Sequence, residues 1–194
     1  AQVKQPQIVK VSRDRSLPLS FAQQRLWFLE QLVPGNAFYN IPAAIRLQGN
    51  LDCLALQQAF GAIVQRHEAL RTNFLKVNGQ PTQIIANDVS VSLPIVDLQH
   101  LPAKERQSAA AQIATEEAGR SFNLATDLLL RVKLLQLDKT EYVVLLNLHH
   151  IASDGWSLGI LMRELGALYT AFSGGTSPLP ELKIQYADFA CWQR

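Results

Sequence analysis

Cysteine and charge are both scarce in this sequence, and each scarcity closes a class of function. The two cysteines, Cys53 and Cys191, lie far apart and match neither a metal-binding nor a redox spacing, so two unpaired thiols in a reducing compartment are the plain reading. A formal net charge of only +2, with Lys and Arg scattered along the chain, argues against a nucleic-acid partner. No segment approaches the roughly eighteen uninterrupted apolar residues that a membrane span needs. Residues Ala1 to Gln7 also lack the apolar core of a signal peptide, which makes the cytoplasm the expected location. Internal repeats are absent, and neither cysteine lies near the chain's histidines, so no nucleophilic thiol announces itself.

What is present is the composition of a folded domain, 48% hydrophobic and 18% charged. The linker-like stretches are residues 1–16 and the run Gly174-Gly175-Thr176-Ser177-Pro178-Leu179-Pro180, leaving residues 17–194 as one compact unit. Ser20 followed three residues later by Gln23 has the form of a capping box opening a helix through Phe21, Leu26, Trp27 and Leu29. A strand is expected over residues 41–48, then a helix capped by Asp52 that runs into Arg66-His67-Glu68. Asn78-Gly79 is the dipeptide that best tolerates the backbone of a tight hairpin, which pairs residues 72–77 with 82–86. An Ala- and Glu-rich helix over 103–118 precedes two apolar runs, 128–137 and 142–148, read as neighbouring central strands. A last helix runs from Trp156 to Phe172. The order is α/β in the α+β sandwich sense: helices covering one mixed, mostly antiparallel sheet.

The second central strand ends on His149-His150-Ile151-Ala152-Ser153-Asp154-Gly155. Side chains alternate across a strand, so the two histidines should face opposite ways, one toward the core and one toward a pocket. His149 is assigned to the core and His150 to the chemistry. That split also argues against a shared metal ion, although His149, His150 and Asp154 are all ligand types. Asp154 and Gly155 lie at the start of the next helix, where free backbone N–H groups can meet a developing negative charge. With no reactive cysteine beside the histidines, direct attack of one substrate on another is the reading adopted, with His150 handling the proton and donors near Gly155 stabilising the oxyanion. Asp154 either orients the imidazole or holds the loop through an arginine, for which Arg66 and Arg71 are the candidates.

Four separated runs carry a family resemblance: Ser20 to Phe28, Arg66 to Phe74, His149 to Ser157 and Tyr186 to Gln193. Together they resemble the signatures of nonribosomal peptide synthetase condensation domains. The His-His-x-x-x-Asp-Gly run alone is shared with chloramphenicol acetyltransferase and other CoA-dependent acyltransferases. The resemblance implies two chloramphenicol acetyltransferase-like lobes in a V, of which residues 17–194 are the N-terminal one and the C-terminal lobe lies outside this chain. It implies that His150 is catalytic, that Asp154 makes a structural salt bridge to an arginine, and that Gly155 lies beside the reacting groups. It further implies peptide-bond formation between thioesters on the 4′-phosphopantetheine arms of donor and acceptor peptidyl carrier domains. An adenylation domain is the expected neighbour, and no metal or diffusible cofactor is implied. The wording around Asn36 to Pro42 looks most like domains that accept an L-configured donor. Residues 122–128 depart from the family run, so a looser turn is expected there. A CoA-dependent acyltransferase, and a lobe that serves only carrier or partner binding, stand as alternatives.

Overall fold

The computed structural model describes residues 7–176 and 179–194; residues 1–6 of the expected extension and Ser177-Pro178 of the expected linker lie outside them. A two-residue strand, β1 (Leu17–Pro18), turns at once into α1 (Phe21–Leu32). The helix starts where the capping box sets it. Ser20 Oγ accepts from the Gln23 N–H at 3.1 Å and Gln23 Oε1 accepts from the Ser20 N–H at 2.9 Å, so two otherwise orphaned donors are satisfied. After β2 (Asn40–Gln48), the Asp52 carboxylate starts α2 (Cys53–Arg66) by accepting from the Ala55 N–H at 2.9 Å. A 3₁₀ turn, Glu68–Arg71, leads into the hairpin of β3 (Thr72–Val77) and β4 (Gln80–Ile85). Asn78 and Gly79 take φ of 49° and 83°, the left-handed pair that a two-residue connection requires.

The remaining elements are β5 (Ile95–Asp97), α3 (Ala103–Gly119), β6 (Leu130–Asp138), β7 (Glu141–His149), α4 (Gly155–Phe172) and α5 (Tyr186–Gln193). The strands divide between two sheets where one was expected. The larger has the order β2-β7-β6-β5, with β5 parallel to β6 and the other pairs antiparallel; the smaller has the order β1-β4-β3. As expected, β6 and β7 are central.

Alternation along β6 and β7 sorts their apolar residues onto two faces. Leu130, Val132, Leu134, Val144, Leu146 and Leu148 pack with Phe60, Ile63 and Val64 of α2 and with Leu161 and Leu165 of α4. Leu135, Leu137 and Leu145 face Ala110 of α3. Ala109, Ile113 and Ala114 of the Ala-rich helix pack partly against the same cluster, and its polar side, through residues such as Lys104 and Gln112, is exposed. A third cluster of Leu19, Leu26, Phe74, Phe122, Leu124, Leu129 and Ile151 joins α1 and the small sheet to the end of β7. The turn at 122–128, expected to be loose, is tied. The Asn123 N–H donates to Asp127 Oδ2 at 3.0 Å, the Ala125 N–H to Asn123 Oδ1 at 2.9 Å, and the Phe74 N–H to Leu124 O at 2.8 Å. Asn and Asp side chains supply the turn here that glycine and proline supply elsewhere.

The described part of the N-terminal extension is fastened to the domain rather than trailing from it. Arg13 donates to Asp188 Oδ1 at 2.6 Å and to Glu68 Oε2 at 2.7 Å, and the Val11 N–H also reaches Asp188 Oδ1, at 2.9 Å. Burial pushes the Asp188 carboxyl up, and the donors of Arg13, Gln185 and Val11 more than reverse this, holding it below the usual carboxylate range. Arg13→Ala would leave Asp188, fully buried, without its cation. The expected cost is about 2–3 kcal/mol, at the low side for breaking a buried pair because Arg13 keeps 25% of its side chain in water. Urea unfolding of the variant beside wild type measures it; an unchanged midpoint would show the pair to be dispensable.

Candidate active site

The site is built from the end of β7 outward. His149 is the last residue of that strand and opposes Asn40 of β2. Its side chain falls on the α3 face, 2% exposed, edge-on to Phe122 with ring centroids 5.8 Å apart and tilted toward Tyr39 at 6.3 Å. The Ile151 N–H donates to His149 Nδ1 at 3.1 Å, which places the ring proton of the neutral imidazole on Nε2. Burial, with a lesser contribution from His150, lowers the His149 pKa from 6.5 to about 4. Arg131 stacks over the other side of Phe122, 3.8 Å from its centroid. No local pattern in the sequence marks Phe122, Tyr39 or Arg131 as shaping this site. Arg131 sits on the same face of β6 as its partner Asn147 does on β7, an alternation visible only once the register is known.

His150 begins the turn that leaves the strand. Its N–H donates to Tyr39 O at 2.8 Å, and its side chain is exposed. The two histidines are thus brought together in space but divided by environment: one buried and uncharged, one open to whatever approaches.

Asp154 caps α4. Its Oδ1 accepts from the Ser157 N–H at 2.8 Å and from Ser157 Oγ at 2.6 Å, and these bonds, side chain first, hold its carboxyl below the usual carboxylate range. The ion pair expected with Arg66 or Arg71 does not form. Arg66 Nε donates to Glu164 Oε2 at 3.0 Å and Arg66 Nη1 to Pro180 O at 2.7 Å, while Arg71 donates to Ala86 O and Gln65 O. The reason is local: the helix start offers Asp154 two donors three residues away, and Glu164, buried on α4, needs the Arg66 cation more than an exposed carboxylate does. His67 Nε2 lies 2.7 Å from Glu164 Oε2 and completes that cluster. The Asp154 cap takes up the Ser157 N–H, and the Gly155 N–H is among the other backbone donors of this first helical turn. A Cβ added at Gly155 would meet nothing within 4 Å, so within this chain the space before it is open. Among the described residues no group of three or more His, Cys, Asp or Glu side chains is gathered as for a metal ion, and no helix is long and apolar enough to cross a membrane.

An exposed imidazole a few residues before a capped helix start can accept a proton, and backbone donors at such a start can stabilise developing negative charge. Known proteins resemble the chain along most of its length. The family model described as Condensation domain matches residues 13–194. One of the linear gramicidin synthase polypeptides of Brevibacillus parabrevis is 51% identical over 188 residues, 96% of this chain and 4% of that protein. The crystal structure of the X-domain from teicoplanin biosynthesis superposes with a TM-score of 0.79 at 30% identity, covering 96% of this chain and 40% of that one. The starter condensation domain of rhizomide synthetase RzmA shares the fold, with a TM-score of 0.81 at 23% identity over 91% of this chain and 42% of that one. The chain therefore spans less than half the length of each of these.

Proposed function

The chain belongs to the condensation-domain family, and from that premise we propose that it is the N-terminal lobe, residues 17–194, of an enzyme that joins two carrier-bound thioesters into an amide. The observation that carries the reading is the unequal pair at the end of β7, a buried neutral His149 beside an exposed His150, set against the capped start of α4. The acceptor's amine nitrogen attacks the donor's thioester carbonyl; the C–N bond forms, the C–S bond breaks, and the proton lost by nitrogen passes through His150 to the departing sulfur. The Gly155 N–H faces the oxygen that becomes negative in between. Asp154 serves this reaction by fixing the helix start.

The substrates are acyl or aminoacyl groups on 4′-phosphopantetheine arms of donor and acceptor peptidyl carrier domains, the donor L-configured, and an adenylation domain is the neighbour that supplies them. A C-terminal lobe completes the site. Phe38 and Trp156, 80% and 83% exposed, flank the histidine turn, and Phe28 and Leu32 on α1 add more open apolar surface, which a partner lobe would cover. The test supplies the two-lobed protein with loaded carrier domains and, separately, with acyl-CoA and a free amine. Amide product from the carrier pair alone is expected. No product from any carrier pair would overturn the reading, and efficient turnover from CoA alone would make this a CoA-dependent acyltransferase.

A further inference from the structure

A cavity of about 300 Å³ lies between the first turns of α4, the end of α2 and the segment leading into α5. Its walls include Leu70, Leu148, Leu161 and Ile184. The polar groups on its lining are committed elsewhere with one exception. Ser157 Oγ donates to Asp154; Tyr186 Oη pairs with Ser20 Oγ at 3.1 Å; Gln185 accepts from the Glu68 N–H and donates to Arg66 O; Glu164 is held by Arg66 and His67. Ser153 is the exception: 8% exposed, it lines the cavity, and its Oγ has no hydrogen-bond partner. A buried hydroxyl without a protein partner is uncommon, and one that borders a cavity is available to a polar atom that enters it.

Leu148, on the cavity wall, faces opposite to His149 along β7, and three residues of chain, at most about 10 Å, separate His150 from Ser153. We propose that this cavity takes the side chain of one of the two aminoacyl residues being joined, with Ser153 as the residue that reads its polar tip. The assignment rests on the condensation reading above. The chemistry selected is a bulky, largely apolar side chain ending in one hydrogen-bonding atom, such as a phenol or an indole N–H; a carboxylate is disfavoured by Glu164 on the wall. A pocket of this volume accommodates such a ring.

The test uses the two-lobed protein with carrier-loaded substrates in two arms, varying the donor residue in one and the acceptor residue in the other. In the arm that reports the pocket, wild type should favour tyrosyl over phenylalanyl by roughly 3- to 10-fold, the worth of one hydrogen bond, and Ser153→Ala should abolish that ratio. Ile184→Trp, made from the partly exposed wall, should lower the tyrosyl-to-alanyl ratio at least 10-fold by filling the space. Ratios within one variant cancel any loss of folded protein. Either ratio staying at its wild-type value in both arms overturns the pocket alone, whereas no amide from any pair removes the condensation reading and the pocket with it.

Discussion

Replacing His150 with alanine in the two-lobed protein is expected to slow amide formation by about 10²–10⁴-fold, the usual worth of a positioned general base. The loss should come without a loss of fold. The His150 side chain is exposed and the residue is held through its backbone N–H on Tyr39 O, so truncation leaves no cavity and strands no buried partner. Single-turnover rates with loaded carriers, measured beside urea unfolding of the same preparations, separate the two effects. A variant with wild-type rate would remove His150 from the reaction, and a variant that lost stability as well as rate would show that its side chain does more in the fold than its exposure indicates. At His149, where the ring fills space beside Phe122 and Tyr39, truncation should instead lower the unfolding midpoint.

That division is legible in the sequence because it depends on one local rule, the alternation of side chains along a strand long enough to be recognised by its apolar run. The caps of α1 and α2 and the Asn78-Gly79 turn are legible for the same reason: each is chemistry among residues at most three apart. What escapes depends on long-range pairing. β1 is two residues long and β5 three, too short for any period to show, and both exist because they pair with β4 and β6. The division into two sheets escapes as well, because nothing local says whether the β3–β4 hairpin joins the sheet of β6 and β7. The partner of Arg66 is missed by looking only near the histidine motif. Glu164 lies ten residues further along, on α4, and reaches the end of α2 only because the two helices pack side by side on one sheet face. Its signal is present in the sequence, a lone carboxylate amid the apolar spacing of Leu161, Leu165 and Leu168, which asks for a cation.

The buried histidine gives the fold a pH dependence whose sign and window can be stated. In the unfolded chain His149 takes up its proton around the ordinary value of 6.5, whereas in the folded protein it does so only near 4. Between those values the unfolded state binds more protons, so stability falls as pH falls through the window and is regained above it. That gap corresponds to a loss on the order of 3 kcal/mol by pH 4, and the carboxylates of Asp188 and Glu164, both held below their ordinary values, add their own loss as pH falls past those ordinary values. His149→Phe keeps a ring against Phe122 and cannot titrate. It should be less stable than wild type at pH 7 by about 1 kcal/mol, since the Ile151 N–H loses its acceptor, yet show a flatter curve and overtake wild type below about pH 5.5. Urea unfolding at half-unit steps from pH 7.5 to 4.5 measures both curves. Parallel curves would mean that His149 takes up its proton as readily folded as unfolded, and the unequal pair at the end of β7 would then need a different account.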